Sequence, residues 1–115
     1  MPSSNKDNLL SDEQHRALRE IKRRVNNNFT VERMLLYGSA ARGELDQESD
    51  IDLLILTQEV LPRKRRHKIT DIVFEVNLKY GTNFSTLVVD INSWESGRYS
   101  VLPIYQEIDR EGVVV

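Results

Sequence analysis

The chain has 115 residues, 39% hydrophobic and 30% charged, with no cysteine and a formal net charge of −2. That length predicts one globular domain, residues 11–115 after a flexible polar arm over 1–10, while the missing cysteines exclude a disulfide framework and a thiolate metal site and fit a cytoplasmic protein. No apolar run approaches the ~18 residues of a membrane span or reads as a signal peptide, so a soluble chain without a membrane partner is expected.

Ser11 with Gln14 three residues later is a capping box, and Ala17, Leu18, Ile21 and Val25 follow at helical spacing, predicting a first helix that ends near Asn26 to Asn28. Arg33 to Tyr37 and Ile51 to Leu56 are short apolar runs that suit buried strands. Pro62 fits the first turn of a second helix, in which Ile69, Ile72, Val73, Val76 and Tyr80 repeat at three and four until Gly81. Phe84 to Ile91 is a third strand, and Ser100 to Gly112 a last helix with Leu102, Tyr105 and Ile108 inward and Gly112 as its C-cap. The order predicts an α/β fold, a small, mostly buried sheet packed with helices.

Two aspartates, Asp50 and Asp52, stand at the mouth of the second strand. Strand alternation places them on one face, roughly 6–7 Å apart along the backbone. Two carboxylates that close repel each other, and burying one unpaired is costly, so a cation is expected between them. Magnesium suits hard oxygen donors, takes one or two carboxylates with substrate phosphates, and in pairs clamps a phosphoryl transfer. The preceding "GSAARG" follows a strand directly, as an anion-binding loop does. Gly38 permits a tight turn, Ser39 donates to a phosphate oxygen, Arg42 neutralises or forks onto phosphates, and Gly43 releases the chain toward Asp50. Ser49 either closes the turn before Asp50 or joins the nucleotide-binding residues.

Gly38-Ser39, a loop, then Asp50-Ile51-Asp52 with an apolar tail resembles the signature of the DNA polymerase β-like nucleotidyltransferase superfamily, and in particular its minimal nucleotidyltransferase group; "IDREGVVV" at the end is similar to small stand-alone members. The resemblance implies a palm-like nucleotidyltransferase fold. It makes Gly38 and Ser39 the phosphate-binding pair, Arg42 a basic position common in the family, and Asp50 and Asp52 ligands of two magnesium ions. It also calls for a third carboxylate on a later strand, for which Asp90 is the candidate, as a catalytic residue that helps hold one metal and prepares the acceptor hydroxyl for attack. In many members that acid falls earlier, where this chain has Ser85, Thr86 or Leu87.

The activity implied is transfer of a nucleoside monophosphate, AMP from ATP or the equivalent from another nucleoside triphosphate, to a hydroxyl of a partner protein. The implied biology is the antitoxin of a pair with a helical HEPN-type protein. Two alternatives stand beside it: a catalytically inactive module that binds a nucleotide or partner, and a small-molecule transferase of the aminoglycoside kind, for which the length leaves no second domain. A homo-oligomer is a further possibility.

Outside the motif, the basic run Arg63 to Lys68 opposes the dipole of the helix it starts, so local stability does not explain it. It reads as a solvated face or as a meeting point for phosphates or an acidic partner, and it leaves nucleic acid open. Trp94 and Tyr99 read as packing residues or as a base-stacking platform. His15 and His67 lack ligand-spaced neighbours, which argues against zinc.

Overall fold

The computed structural model describes residues 9–46 and 49–115. Most of the expected arm therefore lies outside the described residues, as do Gln47 and Glu48; Leu9 and Leu10, its expected end, pack against the core.

Helix α1 (Asp12–Asn28) starts at the expected capping box: Ser11 accepts from the Gln14 amide while the Gln14 side chain accepts from the Ser11 amide. Asp12 and Glu13 in its first turn complement the helix dipole, and Ala17, Leu18, Ile21 and Val25 form its buried stripe. Strands β1 (Val31–Tyr37) and β2 (Ile51–Thr57) pair antiparallel. Helix α2 (Arg63–Tyr80) crosses to β3 (Phe84–Asp90), which runs parallel to β2. Gly81 ends α2 in the left-handed conformation, φ 66°. A short helix α3 (Ile91–Glu95), a 3-10 turn (Arg98–Val101), helix α4 (Pro103–Glu111) and strand β4 (Val113–Val114) complete the order.

The sheet order is β3-β2-β1-β4, so β2 lies inside and is buried along nearly its whole length. Ile51, Leu53 and Ile55 face α1 and α2; Leu54 and Leu56 face Trp94 of α3 and Ile108 of α4. Each fully buried Leu or Ile contributes about 1.5–3 kcal/mol, so the two layers of β2 are the principal anchor of the strand that presents the acids. Glu20 of α1 accepts from both Lys79 and Tyr80 of α2, locking the two helices on one side of the sheet.

Three features differ from expectation. The third strand ends at Asp90, because Asp90 caps a new helix and Ile91 begins it. The last helix starts at Pro103, with residues 98–101 in a separate 3-10 turn. Gly112 does cap α4, but in extended conformation (φ −63°, ψ 151°), since the chain passes straight into β4 beside β1. Among the described residues no helix is long and apolar enough to cross a membrane.

Candidate functional site

The turn after β1 and the start of β2 are one construction. Tyr37 pairs with Asp52 across the two strands, and Gly38 follows at φ 68°. A Cβ on Gly38 would lie 2.6 Å from Oδ2 of Asp52. The left-handed backbone calls for glycine there, and the Asp52 carboxylate, the far end of a flexible side chain, rests in the space a Cβ would take. Beyond it the chain closes tightly: the Arg42 amide donates to the Gly38 carbonyl and the Glu44 amide to the Ser39 carbonyl, at 3.2 and 2.9 Å, with Ala40 buried beneath. Gly43, at φ 70°, opens the way out of the turn.

Asp50 is exposed, and its Oδ1 accepts from Nδ2 of Asn83 at 2.5 Å. Asp52 is partly buried. Its carboxyl is pushed above the usual aspartate value, first by burial and then by the neighbouring charges of Asp50 and Glu107. Tyr37 is raised as well, by burial first and then by Asp52 and Glu107. The field at Asp52 is therefore set by neighbouring acids.

The Arg42 guanidinium turns toward α4: Nη1 lies 3.3 Å from Glu111 and 3.5 Å from Glu107, and Nε lies 3.4 Å from Glu44. The hydrogen bonds it donates to Glu111 and Glu44 raise its pKa. To meet a phosphate it must leave these surface pairs, which hold weakly in water. Ser49 is given to the turn: its hydroxyl donates to Oδ1 of Asp46 at 2.9 Å. The Ser39 side chain makes no hydrogen bond among the described residues and is partly exposed, so its hydroxyl is free to donate.

Asp90 requires a correction. The parallel register sets Asp52 beside Ser85 and Thr57 beside Asp90. Asp90 thus lies five residues farther along the strand, roughly 16 Å away at ~3.3 Å per residue, and strand alternation turns it to the opposite face. Its Oδ2 accepts from the Ser93 amide at 2.9 Å as the N-cap of α3. Residues that share a metal bind it at ~2.0–2.1 Å, a reach the separation denies to Asp90. Phe84, Thr86 and Val88 do share its face as alternation predicted, but that is the face of α1 and α2. Ser85 occupies the β3 position facing Asp52, and among the described residues no three His, Cys, Asp or Glu side chains gather closely enough to hold a metal.

The sequence reading missed Asn83, Glu107 and Tyr37. Asn83 could have been found only from the β2–β3 register, Glu107 only from the docking of α4; Tyr37 stood next to the motif as its last strand residue. Trp94 is buried, with ring centroids 5.1 Å from Tyr105 and 5.9 Å from Tyr99, so it packs and is not a stacking platform.

Known proteins share part of this sequence and its fold. Two Methanocaldococcus jannaschii proteins, each named "putative protein adenylyltransferase", are 41% identical over 58 residues and 43% over 60, each match covering 50% of this chain. Those stretches span 59% and 40% of the two relatives' own lengths. In fold, the chain is similar to a crystal structure of a toxin–antitoxin with AMP-PNP (TM-score 0.59, 18% identity, 90% of this chain and 72% of that one). It is also similar to a mutant of the toxin–antitoxin MntA–HpeT (TM-score 0.56, 19% identity, 85% and 70% covered). A Sulfolobus solfataricus protein described as a "putative nucleotidyltransferase" shares the fold at TM-score 0.51 and 20% identity, over 91% of this chain and 86% of that one. The model of the nucleotidyltransferase domain family matches residues 18–102, from within α1 through the turn after β1 and the Asp50–Asp52 segment to the residue before α4, and the chain belongs to that family.

Proposed function

We propose that the chain transfers a nucleoside monophosphate, AMP from ATP, to a hydroxyl of a partner protein, as the antitoxin of a pair whose other member is a helical HEPN-type protein. The observation that carries the reading is the fit between Gly38 and Asp52: the turn that would cradle phosphates is built against the carboxylate that would face them.

Magnesium fits the donor set of Asp50 and Asp52, two hard oxygen ligands in a negative field at the open end of β2, with triphosphate oxygens to complete its shell. Bound there, it would offset the charge that develops on the phosphates during transfer. The chain's own residues would do the rest by positioning. Ser39 and the amides of the turn would hold the phosphates, Arg42 would swing from Glu107 and Glu111 onto them, and Asn83 would fix the Asp50 carboxylate. The acceptor oxygen attacks the α-phosphorus, the bond from that phosphorus to the bridging oxygen of pyrophosphate breaks, pyrophosphate leaves, and the acceptor proton passes to solvent or to a base of the partner.

One observation favours a second reading, a nucleotide-binding module without turnover: Ser85, not an acid, faces Asp52 across the β2–β3 pair. The two part in one experiment. The chain is incubated with magnesium, a helical HEPN-type partner protein, and ATP labelled at either the α- or the γ-phosphate. Transfer predicts α-label alone on the partner protein. Label from the γ position would make the chain a kinase, and nucleotide binding with no label on the partner would establish the module.

A further inference from the structure

We propose that the free edge of β3 is a docking surface for an acidic, extended segment of a partner protein, which joins the sheet as a fifth strand. The surface is separate from the Asp50–Asp52 site and does not depend on the transfer reaction.

The phase of the β2–β3 ladder is set by the Ile51 amide, which donates to the Asn83 carbonyl at 2.9 Å. In a parallel pair the residues of each strand alternate between facing the partner and facing away, so Ser85, Leu87 and Val89 bond to β2 while Phe84, Thr86 and Val88 turn their amides and carbonyls outward. Asn77 occupies both outward groups of Phe84: its Oδ1 accepts from the Phe84 amide at 2.9 Å and its Nδ2 donates to the carbonyl at 3.0 Å. Among the described residues nothing does the same for Thr86 or Val88. Open edges of this kind template added strands unless they are covered or blunted.

The edge also has walls. A cleft of about 300 Å³ runs along Thr86 to Val88 between Arg63, Arg66 and His67 of α2 and Tyr99 of the 3-10 turn. It shares Arg66, Val88 and Tyr99 with a second cleft of about 240 Å³ that reaches Arg98, so the two form one groove.

Charge selects the occupant. Arg24, Arg33 and Arg42 are all ion-paired, and Arg65 lies over the Phe29 ring. Arg63, Arg66 and Arg98 have no ion-pair partner among the described residues, and the nearby Asp90 carboxylate is committed to capping α3. Arg63 and Arg66 also stand in the first turns of α2, where positive charge opposes the dipole. Unpaired guanidinium groups beside free backbone donors and acceptors at two-residue spacing fit a polypeptide with carboxylates on alternate residues. A second copy fits less well, because β3 has no free carboxylate to offer them.

The test uses a fluorescent nine-residue peptide alternating Glu and Val, followed by anisotropy and by the protein's amide NMR signals. The expected result is saturable binding that shifts the Thr86 and Val88 amides and protects them from exchange. A peptide with Lys in place of Glu, and a Glu–Val peptide N-methylated at alternate residues, should each bind at least tenfold more weakly. Arg63→Glu with Arg66→Glu should weaken binding at least tenfold. So should Thr86→Pro, which removes only an outward amide; should that variant misfold, the N-methylated peptide still decides. Absent binding, indifference to N-methylation, or equal affinity for the Lys peptide would overturn the proposal. It would also fall if fifteen-nucleotide oligo(dT) displaced the Glu–Val peptide at equal concentration, or if sedimentation showed the chain pairing with itself through β3.

Discussion

Asp52 and Asp90 are the same side chain on neighbouring strands of one sheet, yet their surroundings differ in kind. Burial raises the pKa of both. At Asp90 hydrogen bonds from Ser93, through its hydroxyl and its amide, outweigh burial and hold the carboxyl below the usual value. At Asp52 the Asp50 and Glu107 charges add to burial and push it higher. The anion at Asp90 is satisfied by its own fold and the anion at Asp52 is not, so only the second gains by binding something. An acid's presence in a strand therefore says little about its role; the groups that face it say much more.

That contrast can be broken at either end. Asp50→Asn with Asp52→Asn should lower transfer of α-label at least 1000-fold, about 4 kcal/mol, while circular dichroism shows the fold kept. Ser39→Ala should weaken magnesium-dependent triphosphate binding by about 1.5 kcal/mol in calorimetry, the cost of one hydrogen bond to a charged group. Asp90→Ala should lower unfolding stability by about 1 kcal/mol, as loss of an N-cap does, and leave triphosphate affinity unchanged.

A pH series sharpens the comparison by sign. The lowered pKa of Asp90 means that its stabilisation is present above the unfolded value and is lost as pH falls through the folded one. The raised pKa of Asp52 means the reverse, a penalty absent in acid that grows as pH rises from the unfolded value through the folded one. Without metal, Asp52→Asn should therefore melt higher than the native chain at pH 7 and Asp90→Asn lower. Both differences should close below the ordinary aspartate range. Melting curves that moved in the same direction for both variants would remove the contrast.

Local signals reached as far as local physics does. The Ser11 capping box, the stripe from Ala17 to Val25 and the stop at Gly81 depend on residues a few positions apart, and each is written in spacing. The partners of Asp50 and Asp52 are not. Asn83 meets Asp50 only because β3 runs parallel to β2 in one particular register, and the same register carries Asp90 away from Asp52. A shift of one residue would have turned Asp90 to the other face. Two-residue β4 and five-residue α3 were too short to show any period, and Glu107 comes to the site only through the packing of Ile108 behind it.

The most direct measurement is paramagnetic broadening of the chain's amide signals by manganese in the presence of a non-hydrolysable ATP analogue. A divalent ion held by Asp50 and Asp52 should erase the signals of Gly38 to Ala40 and Asp50 to Leu53 while those of Asp90 to Ser93 persist. Broadening centred on Asp90, or none in the turn after β1 at saturating nucleotide, would contradict the assignment of the site.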